Sequence, residues 1–322
     1  MIVSSDTKII SLADYAYQAI EKNLHKTLKW EKSVKNDEDP EALHQMRVGM
    51  RRLRTTISGF SSYLSLPKSA SDKNIRIIAK ILGNLRDLDV LQEILENNYQ
   101  PHLQGQERNN LQIAFSDLAK QRKLALFEVK KIFKDDIYKS FKYSLEKWLK
   151  KPIYQPSAAL EIHQIIPDIL LPEVGNFLLH PGWMIGTEIK DSKIITATEW
   201  TPQELEKNLQ TNGEKLHNLR KQAKRVRYQM ELFTNLYNED FALHISQIKQ
   251  IQGTLGKIQD SMILNQWLTN IFKSETYAKI SGLNTLLAVN RYQLWQEWQP
   301  MKLQYLSTEN KRSLHLTILQ SL

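Results

Sequence analysis

Two stretches of this chain, 173 residues apart, carry the same pattern, and a chain made of two copies of one unit has few ways to fold. Set one under the other, "HQMRVGMRRLRTTISGF" and "HNLRKQAKRVRYQMELF" match His44 with His217, Arg47 with Arg220, Arg51 with Lys224, Arg52 with Arg225, Arg54 with Arg227 and Phe60 with Phe233. The same offset aligns "LGNLRDLDVL" at Leu82 with "LGKIQDSMIL" at Leu255, pairing Gly83 with Gly256 and Asp87 with Asp260. One shared motif is weak; two at a single unadjusted offset argue for an internal duplication, each copy several helices long.

The copies read as helical. Eleven glycines and ten prolines over 322 residues leave long uninterrupted segments, and in these the apolar residues recur three and four apart. In "NDEDPEALHQMRV" Asp39 is a candidate N-cap, Pro40 stands at the first helical position and Glu41 in the first turn, so a helix is predicted from there to Pro67. Thr201 and Glu204 have capping-box spacing around Pro202, and Asn212-Gly213 predicts a break before His217. Residues 152–200 differ in kind, holding Pro152, Pro156, Pro167, Pro172 and Pro181, with "DSKIITATEW" alternating enough for a short strand pair.

At 100° per residue from His44, Arg51 falls near 340°, Arg47 near 300° and Arg54 near 280°, while Met46, Met50, Leu53, Ile57 and Phe60 fall between about 160° and 240°. In the second copy His217, Lys224, Arg220 and Arg227 take the same angles, and Leu219, Ala223, Val226, Met230 and Phe233 fill the apolar arc. Arg52 and Arg225 lie near 80°, away from both stripes. Each helix thus packs by one face and offers a row of cations on the next. Arginine is informative there, because its fork grips phosphate oxygens bidentately and stays charged. A solvated basic face paired with acids is the bland alternative for one charge run, and repetition at both copies weighs against it.

A net charge of +9 and pI near 9.4 favour an anionic partner without choosing among nucleic acid, acidic lipid and phosphate polymer. Zero cysteines exclude disulfides, thiolate metal sites and a cysteine nucleophile. Neither a leader pattern nor an apolar run long enough for a membrane span is present, which predicts a cytosolic protein without a membrane partner.

Neither His44 nor His217 has a second histidine or a carboxylate at i+3 or i+4 on its face, and Arg47 and Arg220 would repel a cation, so no metal site is expected. Nor is a serine or carboxylate linked to either in a triad-like arrangement. A core histidine bonded to a carbonyl competes with a phosphate donor strengthened by protonation, and the cationic neighbours favour the donor.

"HQMRVGMRRLR", "LGNLRDLDVL", "LRKQAKRVRYQMELF" and "LGKIQD" together resemble the CHAD family, the conserved histidine α-helical domain. The resemblance implies an all-α fold of two pseudo-symmetric antiparallel helical bundles around a basic cleft or channel that binds inorganic polyphosphate, without catalysis or cofactor. It also implies one domain over 8–318, with an N-terminal half at 8–151, a short irregular or β-hairpin connector at 152–200 and a C-terminal half at 201–318. The matching lining positions are His44, Arg47, Arg51, Arg52, Arg54, His217, Arg220, Lys224, Arg225 and Arg227. Arg76 and Lys80, with Lys249 at the same offset from Arg76, extend the surface at helical spacing. Asp87 and Asp260 read as carboxylates that orient the arginines, the alternative being ordinary ion pairs. Arg122 and Arg291 are weaker candidates, and Lys130, Lys131, Lys134, Lys139 and Lys142 read as solvated surface. Gln259 stands where the first copy has Arg86 and Met262 where it has Asp89, so the halves are not expected to contribute equally.

Polyphosphate, free or in granules, is therefore the expected partner. A nucleic-acid binder would interleave aromatic or amide side chains with the cations, and Tyr228 alone stands near either row. An enzyme acting on phosphoanhydrides would need a magnesium-holding acid cluster or a P-loop, and neither motif is present. "HPGW", His180 to Trp183, reads only as a packed turn.

Overall fold

The structure is a computed structural model; it describes residues 10–196 and 200–320, with the side chains of Thr196, Ser274, Thr276 and Tyr277 left aside. It is all-α apart from one hairpin. The helices are α1 (Leu12–Leu28), α2 (Glu31–Asn36), α3 (Pro40–Gly59), α4 (Asp72–Ile94), α5 (Gly105–Ile132), α6 (Asp136–Lys150) and α7 (Ile162–Leu178), then α8 (Pro202–Leu232), α9 (Glu239–Phe272), α10 (Thr276–Leu306) and α11 (Thr308–Leu319). Strands β1 (Thr187–Lys190) and β2 (Lys193–Thr196) pair antiparallel, Glu188 opposite Ile195.

The chain divides into two compact units, one running through Arg86 and then Ala125–Ile169, the other Asp87–Leu124 and Leu170–Gln320. Residues 87–124, part of the N-terminal half by sequence, thus group with the second unit. The reason is a shared core, in which Leu91, Leu95, Leu111 and Leu118 pack with Leu264, Leu268 and Leu283.

In the first unit α1 packs on α3. Met46, Met50 and Leu53 have no exposed surface, so the apolar arc read from the wheel is the buried one. At Gly49 the two helices come so close that a Cβ would stand 2.7 Å from Thr27 Oγ1. Asp39 caps α3 by accepting from the Glu41 amide at 2.8 Å. The helix stops at Gly59, just past its last core residue Ile57, and not at Pro67. Beyond it the chain turns at residues 60–63, and Ser65 donates from its amide to the Ile153 carbonyl at 3.0 Å, so tertiary pairing claims the segment that proline alone would have left helical.

In the second unit the capping box at Thr201 and Glu204 starts α8, which then runs unbroken to Leu232. The predicted break at Asn212-Gly213 does not occur. Gly213 is buried in the helix, and a Cβ there would stand 2.6 Å from Met262 Cε on α9; the glycine serves close packing of two helices instead of ending one. Leu219, Ala223, Val226 and Met230 are fully buried beneath the cation row.

The 152–200 segment is more regular than expected. α7 passes through Pro167 and Pro172 because Ile166, Leu170 and Val174 recur four apart and all are buried, and packing of that stripe outweighs the poor helix propensity of proline. Of the strand pair expected within "DSKIITATEW", only β2 falls there; β1 precedes it at Thr187–Lys190, and Ala197 to Glu199 lie outside the described residues. The "HPGW" turn is a packed corner. Trp183, 1% exposed, stacks on Trp298 at 5.4 Å and Tyr305 at 5.7 Å, while Trp200 stacks on Trp295 at 5.1 Å. A Cβ on Gly182 would meet Leu219 Cβ and the Lys215 carbonyl at 2.8 Å, so this turn presses on α8 beside His217.

Lys302 on α10 lies wholly inside this corner. Its Nζ donates to the carbonyls of Ile185 at 2.8 Å and Gly186 at 3.2 Å, fastening the turn before β1 to α10. Burial pushes its pKa down to about 7. Gly186 has φ of +67° and a Cβ there would stand 2.6 Å from Trp295, so both backbone and space require glycine.

Candidate functional site

Each unit presents its own basic face. In the first, α3 carries His44, Arg47, Arg51 and Arg52, all half-buried, because the stripe beside the core arc is partly covered by neighbouring helices. The guanidinium of Arg47 lies against α4 at Gly83, where a Cβ would be 3.5 Å from its Nη2. Arg76 and Lys80 on α4 are exposed. The face extends to residues that the sequence reading missed. Lys26 on α1 has its pKa lowered, by burial first and then by the charges of Arg52 and Lys22, so two lysines of α1 belong to the same field. Their i, i+4 spacing is visible in the sequence; that α1 lies beside α3 is not.

In the second unit α8 places His217, Arg220 and Lys224 half-buried along one side. Arg220 repeats the relation of Arg47: a Cβ on Gly256 of α9 would stand 3.2 Å from its Nε and 3.3 Å from its Nη2. Its Nη1 reaches Asp260 Oδ1 at a long 3.5 Å. His217 has its pKa lowered, chiefly by burial and then by Lys221, Arg220 and Lys224, with Glu214 opposing, and its Nδ1 is buried without a hydrogen-bond partner. Asp260 has its pKa raised by burial first, with Asp87 adding to the rise and Arg220 and Lys224 pulling against it. Lys249 on α9 is exposed.

Other candidate cations are committed to acids within their units. Arg54 forks onto Asp72, Nε to Oδ1 at 2.6 Å and Nη2 to Oδ2 at 3.1 Å. Arg225, off both stripes, pairs with Glu173 of α7. Arg227 is buried, donating to Gln252 at 2.9 Å and Glu231 at 2.8 Å, with its guanidinium 4.3 Å from the Tyr228 ring centroid. Arg122 pairs with Asp89 at 2.8 Å. Arg291, 3% exposed, forks onto Glu206 at 2.7 and 2.8 Å and donates to Ser261 at 3.0 Å. These five hold helices together, and their forks are occupied.

The half-buried and exposed cations of α3, α4, α8 and α9, with His44 and His217, form a basic row on each unit. The match to known proteins agrees with the motifs. A family model described as the CHAD domain matches residues 18–269. The chain belongs to the CHAD family. Polyphosphate binding is a property of that family. Among solved structures, the chain resembles the CHAD domain from the plant Ricinus communis, 20% identical, with a TM-score of 0.61 over 95% of this chain and 92% of that one. It also resembles PptA from Streptomyces chartreusis, 12% identical, with a TM-score of 0.57 over 97% of this chain and all of that one. At such identities the likeness is one of fold. No curated protein matches the sequence. Among the described residues of this CHAD chain no helix is long and apolar enough to cross a membrane.

Proposed function

We propose that this CHAD domain binds inorganic polyphosphate, without turnover, through His44, Arg47, Arg51, Arg52, Arg76 and Lys80 of one unit and His217, Arg220, Lys224 and Lys249 of the other, with Lys22 and Lys26 adding to the first. The observation that carries the reading is the repeated pair, Arg47 against Gly83 and Arg220 against Gly256. In both units a guanidinium is steadied on bare backbone beside half-exposed cations, an arrangement that cross-helix packing does not require. The forks of Arg47 and Arg220 suit two oxygens of a phosphate chain, and neighbouring cations rise about 5 Å per step along each helix, so successive phosphates meet successive donors. The repetition follows the two motif copies read from the sequence.

Titration of long-chain polyphosphate in competition with single-stranded and duplex DNA at physiological salt tests the reading. Affinity is expected to rise with polymer length and to survive excess nucleic acid, because dense linear charge rewards several cations at once. The Arg47→Gln/Arg220→Gln variant should bind far more weakly with its helicity intact. Equal affinity for duplex DNA, or phosphate released from the polymer, would overturn it.

A further inference from the structure

In the first unit α6 and the last turns of α5 carry exposed residues that polyphosphate binding does not use. On α6 the core side is Tyr138, Phe141, Leu145 and Trp148, all buried. Opposite them, at i, i+4, i+8 and i+11, stand Lys139, Tyr143, Lys147 and Lys150, all exposed, Tyr143 to 66%. The last turns of α5 repeat the arrangement. Val129 and Ile132 are buried, while Phe127 is 64% exposed, with the exposed Lys130 and Lys131 three and four residues on.

Between residues 125 and 151 the chain has eight lysines, four acids and no arginine. Four acids against eight lysines leave half of that charge uncompensated within the segment. Asp135 caps α6, accepting from the Ile137 amide at 2.8 Å, and the contacts Lys131 to Glu128 at 3.9 Å and Lys139 to Asp136 at 4.0 Å join solvated side chains. Lys142 is different, held with the Tyr138 hydroxyl on Glu31, and belongs to the core side.

Two features select the partner. Exposed lysines attract any polyanion, but a phosphate chain gains nothing from Phe127 or Tyr143. An anionic bilayer uses both: lysines near the surface are drawn to acidic headgroups, and aromatic rings settle at headgroup depth. The lysine-only composition also contrasts with the arginine-rich rows of α3 and α8, whose forks suit bidentate grip; a fluid headgroup layer asks only for point charges. We infer that the exposed face of α6, Lys139, Tyr143, Lys147 and Lys150, docks this domain on an anionic lipid surface, with the exposed Phe127, Lys130 and Lys131 of α5 as further lipid contacts. The sequence reading expected no membrane partner because no spanning segment is present; surface docking needs none.

Flotation of the full chain with vesicles of phosphatidylcholine, with and without phosphatidylserine, tests the inference. Retention is expected only on the anionic vesicles and should fall as salt rises. Lys139→Gln/Lys147→Gln/Lys150→Gln should reduce it severalfold, as should Phe127→Ser/Tyr143→Ser, with polyphosphate affinity unchanged in both. Arg47→Gln/Arg220→Gln should lose polyphosphate and keep the vesicles. No retention on anionic vesicles overturns the inference, as does retention that ignores the lysine and aromatic variants or vanishes with the arginine pair. Failure of the arginine pair to affect polyphosphate counts against the proposed function alone.

Discussion

Arg220 rests so close to Gly256 that a methyl group there would have to shift the guanidinium by a few tenths of an ångström, since a Cβ would stand 3.2 Å from its Nε and 3.4 Å from its Cζ. Gly256→Ala should therefore push the guanidinium out of register and weaken polyphosphate binding by roughly three- to tenfold. Gly83→Ala meets Arg47 at 3.5 Å, ordinary contact, and should change binding little. Paired titrations of the two variants check the difference.

Asp260 is pushed toward its neutral form by burial and by Asp87, and its bond to Arg220 is long at 3.5 Å. A charge beside an incoming polyanion repels it more than so weak a contact orients the arginine. Asp260→Asn is expected to tighten polyphosphate binding and to raise the melting temperature slightly at neutral pH. Weaker binding would mean that the carboxylate's role is to aim Arg220.

His217 gives two pH effects of opposite sign. Its folded pKa is depressed, so in the free protein the stability that the neutral ring contributes is present above about 6.5 and is lost as pH falls through the folded pKa. Bound phosphates favour the imidazolium, so binding takes up protons and should tighten from about pH 8 toward 6, where arginine does not titrate. His217→Gln should flatten both profiles, read by thermal melts without polymer and titrations with it.

Lys302 is buried and its pKa is about 7. Because the unfolded lysine titrates near 10.4, the unfolded chain holds the extra proton between the two values, so stability should rise as pH increases from about 7 toward 9. Lys302→Met should remove that rise and, by leaving the Ile185 and Gly186 carbonyls without their donor, cost about 1–3 kcal/mol at pH 8. Urea unfolding across that pH range measures both.

The core arcs of α3 and α8 were legible because periodicity reports burial directly: Met46, Met50, Leu219 and Ala223 are all fully buried. So were the caps at Asp39 and Thr201, whose partners lie two or three residues away. Breaks were less legible. Gly213 reads as a helix end in isolation, and only the approach of Met262 shows why it is there. Arg54 was indistinguishable from Arg47 on the wheel, because the acid that occupies it, Asp72, arrives on another helix. Arg227 was different; Glu231 stands at i+4 and could have been noticed. Lys26 was missed because helix pairing is a property of the folded chain.

The aromatic corner behind α8 has an optical consequence. Trp183, Trp200, Trp295 and Trp298, four of the seven tryptophans, lie in two stacked pairs, and Gly182 of the same turn touches α8 at Leu219, two residues from His217. A displacement of α8 by a bound polymer would strain that contact and alter how these indoles quench one another. If the second cation row binds polyphosphate as proposed, tryptophan emission should change on titration without any attached dye.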